Sequence, residues 1–209
     1  SGDTIVTLVP AAILQPNSAY VLNIAGVTDV AGTAMTAPVA VPFTTGTGFD
    51  LVAPQVVSMT PANGGTTSTN PVLRFVFNEP IDPIRSYGAY VHNQSDGSAS
   101  VPGVAVSYSA DRTVMTITYL SLQPNSNYNW GTGYVYDAAG NYSYTSYSFT
   151  TGAGADTTAP TVTGATPPNG ASEVPLNALI ELQLSEPLDA TTINSGSLTL
   201  SSSSGAVAG

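Results

Sequence analysis

An all-β sandwich, built more than once along the chain, is the fold this sequence predicts. Three observations predict it: apolar residues alternate with a period of two, turn-forming residues interrupt the pattern at short intervals, and blocks of sequence return after 106–108 residues. The clearest alternation is Leu73-Arg74-Phe75-Val76-Phe77, which puts Leu73, Phe75 and Phe77 on one face and Arg74 on the other. Ile180, Leu182 and Leu184 alternate with Glu181 and Gln183 in the same way. A helix, at about 3.6 residues per turn, would scatter these side chains around its axis. Segments 55–60, 89–92, 104–108, 113–119, 128–136 and 144–150 read as further strands, with turn residues between them. Sixteen prolines and twenty glycines argue against helix, and no segment shows a convincing amphipathic pattern.

The repeat sets the organisation. Leu14-Gln15-Pro16-Asn17-Ser18-Ala19-Tyr20 returns as Leu122-Gln123-Pro124-Asn125-Ser126-Asn127-Tyr128, and Asp29-Val30-Ala31-Gly32 returns as Asp137-Ala138-Ala139-Gly140, both 108 residues on. Phe43-Thr44-Thr45-Gly46 returns as Phe149-Thr150-Thr151-Gly152 at an offset of 106. Toward the end of the chain, Pro61-Ala62-Asn63-Gly64 returns as Pro167-Pro168-Asn169-Gly170 at 106. Glu79-Pro80-Ile81-Asp82 returns as Glu186-Pro187-Leu188-Asp189 at 107. Ordered blocks with a drift of one or two residues are what tandem repeats with small loop insertions produce. Residues 1–49 are therefore expected to be the C-terminal half of one repeat, 50–154 a complete repeat, and 155–209 the N-terminal half of a further one.

Turn chemistry supports the same reading. Proline and asparagine lead into a strand that opens on Tyr20 or Tyr128, where a tyrosine can return its hydroxyl to the upstream backbone as in Greek-key sandwiches. In the Asp-x-Ala-Gly blocks, Gly32 and Gly140 supply a positive φ and the aspartate caps the turn. The order Pro-x-Asn-Gly, Phe-x-Glu-Pro-Ile-Asp, Leu-x-Pro-Asn-x-x-Tyr, Asp-x-x-Gly-Asn, Phe-Thr-Thr-Gly resembles the bacterial Ig-like domain of S-layer and large cell-surface repeat proteins. The resemblance covers the middle repeat and both flanking fragments, with Leu184-Ser185 in place of Phe77-Asn78 and Thr33 in place of Asn141. It implies tandem immunoglobulin-like sandwiches in an exported protein, used as spacer, scaffold or adhesive unit. It brings no catalytic residue with it.

Composition closes several functions. Thirteen acidic residues face three arginines and no lysine, a net charge of −10 that repels phosphate backbones and anionic lipid. Nucleic acid is thereby excluded as a partner. The absence of cysteine excludes a disulfide framework, thiol catalysis and cysteine-ligated metal. No run of about eighteen apolar residues is present, so no membrane insertion is expected in this segment. Residues 1–4 lack a basic leader, so an export signal and any anchor are expected outside it.

The carboxylates are the candidate site. Glu79 with Asp82, and Glu186 with Asp189, recur in copies of one array, which favours a structural turn over acid–base catalysis. Calcium is the second reading, since hard oxygen ligands suit it, and Asp50 and Asp156 occupy equivalent linker positions that could join such a site. No other cofactor is expected. His92, the single histidine, reads as a surface strand residue. Tyr134, Tyr136, Tyr142, Tyr144 and Tyr147, near Trp130, read either as strand packing or as a contact surface for sugar rings or another subunit. Asn93-Gln94-Ser95 and Asn141-Tyr142-Ser143 fit the glycosylation acceptor pattern.

The expected function is a non-catalytic extracellular structural protein, on a cell surface or secreted. It would build an array, stalk or filament through head-to-tail contact with other copies; its end fragments either complete one another between chains or are cut from a longer array whose end domains extend beyond this segment. The alternatives are an adhesin for glycan or host protein, or an accessory module of a secreted hydrolase.

Overall fold

A computed structural model describes residues 4–186, 188–189, 192–193, 196–202 and 205–207, leaving Pro187 of the repeated Glu-Pro motif outside the described residues. The chain divides into two compact units, Ser1–Val52 and Ala53–Gly209. In the first, β1 (Ala19–Ile24) pairs antiparallel with β2 (Val39–Thr44), setting Tyr20 opposite Phe43 with their rings stacked at 5.7 Å. The Tyr20 hydroxyl accepts the Gln15 amide at 3.0 Å, closing the corner before the strand. Thr45 pins the same loop, accepting from the Ser18 amide and donating to the Gln15 carbonyl.

The second unit opens on a full sandwich. Its strands are β3 (Val56–Thr60), β4 (Gly65–Thr67), β5 (Leu73–Phe77), β6 (Ala89–Asn93), β7 (Ala99–Ser100), β8 (Ala105–Tyr108), β9 (Val114–Thr118), β10 (Asn127–Tyr136) and β11 (Tyr142–Thr151). One sheet is four-stranded, in the order β3-β5-β9-β8; the other is five-stranded, β4-β11-β10-β6-β7. Within β5, Leu73, Phe75 and Phe77 are buried while Arg74 and Val76 are only partly so. The inner faces meet where the Phe75 ring stacks on the Trp130 indole, centroids 4.3 Å apart and planes 16° apart. Phe149 closes on the same indole edge-on at 5.9 Å and stacks on Tyr128 at 5.1 Å. The corner of the first unit is repeated: the Gln123 amide donates to the Tyr128 hydroxyl at 2.7 Å, and Thr151 takes the place of Thr45.

Beyond the sandwich, β12 (Val162–Thr166) pairs antiparallel with β13 (Glu181–Leu184), and β14 (Leu200–Ser202) with β15 (Gly205–Val207). The strands expected between 55 and 150 are present, with ends shifted by one or two residues. Two elements lie outside that reading, β4 and β7, because strands of two or three residues are too short to show a period. A β-bulge in β10 is a further addition. Thr132 opposes Thr145 and Val135 opposes Ser143, so two residues of β10, Gly133 and Tyr134, answer the single Tyr144. An unbroken alternation would set Tyr134 and Tyr136 beside Trp130 in the core; the bulge turns them out and Val135 in.

Phe75→Ala is expected to destabilise the sandwich by about 3–5 kcal/mol, because it empties the space on the indole. Tyr128→Phe is expected to cost about 1 kcal/mol, by leaving the Gln123 amide without its acceptor. Denaturant midpoints check both, and unchanged midpoints would contradict the packing and the corner.

Candidate functional site

The repeated carboxylates serve different partners in the two copies. Asp82 caps its own loop: its carboxylate accepts the Ile84 amide at 2.9 Å, while its carbonyl takes the Ser86 amide and hydroxyl. Asp189, at the same motif position, holds its loop through its carbonyl, which accepts the Thr192 amide and hydroxyl. Its carboxylate reaches the complete sandwich. There it meets Arg74 Nη1 at 2.7 Å and the Thr60 hydroxyl at 3.2 Å, while Arg74 Nε donates to Thr116 Oγ1. Both carboxylate and guanidinium are largely withdrawn from solvent, so this is a charge-assisted contact rather than a loose surface pair. A second tie lies alongside, where Asn70 and Asp156 exchange two hydrogen bonds of 2.8 Å.

The glutamates pair with other carboxylates. Glu186 shares a hydrogen bond with Asp156, and burial, then this neighbour, raises its pKa above the ordinary value. Glu79 lies within 4.8 Å of the carboxylate of Asp137. Asp137 is buried at the base of the β10–β11 turn, where its carboxylate accepts the Gly140 and Asn141 amides and the Asn141 side chain at 2.6–2.9 Å. Gly140 completes that turn at φ +96°, and Asp29 with Gly32, at φ +85°, builds the matching turn in the first unit. Asp50 lies in the first unit, its carboxylate accepting the Val52 amide at 3.1 Å. Of the six carboxylates singled out from the sequence, the structure thus joins Asp156 to Glu186 and turns Asp82 and Asp189 to hydrogen bonds elsewhere. Two close carboxylates have the oxygen chemistry for a hard divalent cation. Asp137 has no proline-glutamate signal around it, and sequence reasoning assigned it only to a turn.

The aromatic residues divide by strand face. Trp130 is fully buried and Tyr147 packs half-buried against it, while Tyr134, Tyr142 and Tyr144 are exposed on the other side. Tyr87 and Tyr90, distant in sequence, join that outer group, and His92 lies 5.2 Å from the Tyr90 ring on β6. The two acceptor-pattern asparagines are engaged internally. Asn93 is buried, capping the Ser95 amide and donating to Tyr128, and Asn141 donates to Asp137.

Residues 50–151 and 156–209 match the family model described as bacterial Ig-like domain. No curated protein matches the sequence. Among solved structures, the chain is similar to PcoC, a methionine-rich copper resistance protein from Escherichia coli: 19% identity, TM-score 0.42, covering 48% of this chain and 99% of that one. CopC from Methylosinus trichosporium OB3b is similar at 15% identity and TM-score 0.42, covering 50% and 99%. The N-terminal part of the bacterial S-layer protein SbsC is similar at 19% identity and TM-score 0.38, covering 53% of this chain and 25% of that one. No helix among the described residues is long and apolar enough to cross a membrane.

Alkaline stability is expected to depend on partly buried tyrosine hydroxyls. Tyr119 donates to the Pro71 carbonyl at 2.6 Å, and its pKa is pushed up to about 12, chiefly by burial and then by Tyr128. Burial raises Tyr90 and Tyr108 as well. Unfolded tyrosines ionise near the ordinary value of about 10, before these folded ones do. Their contribution is therefore complete below pH ~10 and lost as pH rises toward ~12. Tyr119→Phe is expected to flatten the fall in unfolding midpoint over that window and to lower the midpoint at pH ~8; an unchanged alkaline fall would contradict the assignment.

Proposed function

The chain belongs to the bacterial Ig-like domain family, and from that premise we propose that it is a non-catalytic structural module of an exported, cell-surface protein, working as a segment of a tandem array. The observation that carries this reading is the seam between consecutive repeats in the second unit. There Asp189 of the later repeat engages Arg74 and Thr60 of the sandwich, and Asp156 is tied to Asn70. Bonds of this kind fix the spacing between modules, which a scaffold or stalk requires and a loosely tethered domain does not.

Equivalent core positions differ in exposure between copies of the repeat. Phe43 is 46% exposed where its counterpart Phe149 is 1% exposed, and Leu182 is 45% exposed where Phe75 is 0%. These exposed positions are ones that the sandwich of the middle repeat buries, so they leave apolar strand faces for a further repeat of an array to cover. Packing of repeat against repeat along a tandem array is the association these apolar faces support.

Negative-stain electron microscopy of the purified 209-residue chain, with and without a calcium chelator, tests the proposal. Filaments or sheets with a regular axial repeat are expected, and Arg74→Met together with Asp189→Asn is expected to broaden that repeat. Dispersed monomers at every concentration would overturn it.

A further inference from the structure

We propose that the outer face of the five-stranded sheet is a binding platform for an uncharged polysaccharide, a function separate from the array. Six tyrosines form one connected patch there. Tyr134 lies 5.5 Å from Tyr142, 6.0 Å from Tyr144 and 6.3 Å from Tyr87; Tyr136 lies 5.4 Å from Tyr142; Tyr90 lies 6.3 Å from Tyr144. Exposure is 75% for Tyr87, 48% for Tyr134, 56% for Tyr142 and 57% for Tyr144, which no folding requirement of a single sandwich explains.

The platform is held in place before any ligand arrives. Gly131 of β10 stands opposite both Tyr90 of β6 and Ser146 of β11. A Cβ at Gly131 would collide with the Thr145 carbonyl and the Tyr90 hydroxyl. Without one, Tyr90 lies across β10, and its hydroxyl meets that of Tyr144 at 3.1 Å with the rings 16° from parallel. Gly133 gives the same room to the backbone of Tyr87, and the bulge at this point turns Tyr134 outward. Rings fixed in this way lose little freedom on binding.

The chemistry of the face selects the ligand. None of the five strands contains an Asp, Glu, Lys or Arg, in a chain whose net charge is −10. Single-stranded nucleic acid also stacks on aromatic rings, but it requires a basic groove, and the neighbouring Arg85 is held over the Tyr136 ring at 5.1 Å. A stable protein interface has a close-packed, largely apolar centre and keeps its polar groups to the rim. Here the residues between the rings are hydroxyls and amides, such as Ser146 hydrogen-bonded to Asn129 at 3.0 Å. Tyrosine π-faces suit the C–H faces of pyranose rings, and the interleaved polar groups suit their hydroxyls.

Affinity electrophoresis of the 209-residue chain through gels holding hydroxyethylcellulose, xyloglucan or glycol chitin tests this, with dextran sulfate as the charged control. Retardation in at least one neutral gel is expected, weakened about tenfold or more in the Tyr134→Ala/Tyr144→Ala variant, with the melting temperature unchanged. Should that variant lose its melting transition, Tyr142→Ala alone carries the same comparison. No retardation in any neutral gel, or equal retardation of the variants, would overturn the proposal. So would retardation by dextran sulfate alone, or self-association that the variants abolish without any sugar effect, which would assign the face to a second copy.

Discussion

The contact between Phe75 and Trp130 is the constraint on which the complete repeat depends. It joins the two sheets at their centre, and each ring belongs to a strand whose register is fixed by its neighbours. Once Phe75 points inward, the period of two commits Leu73 and Phe77 to the core and Arg74 to the opposite face. That outward placement of Arg74 makes the seam with Asp189 available. A core contact in the sandwich thus decides which side chain meets Asp189.

Around that core, the recurring sequence blocks are loop fasteners. Leu-Gln-Pro-Asn-Ser-x-Tyr and Phe-Thr-Thr-Gly recur together because they bond to each other. The tyrosine hydroxyl takes the glutamine amide, while the second threonine donates to the glutamine carbonyl and accepts from the serine amide. Asp29 and Asp137 hold their turns through the carboxylate. Polar satisfaction by side chains at the strand ends is what lets a chain without cysteine keep its strand connections ordered.

The same motif supplies two functions at its two aspartates. Asp82 closes a loop within its repeat, whereas Asp189 crosses to the preceding one. Repetition therefore gives more than copies of a fold: a residue with a local role in one copy becomes the seam in another. The sheet opposite the seam is free of Asp, Glu, Lys and Arg, and lined outside with tyrosine, so the two sides of the sandwich present different chemistry.

The sequence alone determined the fold class, the spacing of its recurring blocks, the inward face of β5 and the turns at Gly32 and Gly140. These rest on alternation and turn preference, which act between near neighbours and leave a mark in the order of residues. Trp130 and the tyrosines looked alike on that basis, and only the tertiary structure separated them. The bulge at Gly133 reverses the alternation midway along β10, which places Trp130 in the core and Tyr134 outside. The pairing of Asp189 with Arg74, of Glu79 with Asp137, and of Tyr90 with Tyr144 was likewise decided by the fold. Each joins residues far apart in the chain, and contacts of that range follow from how strands pair and pack, which no local pattern encodes.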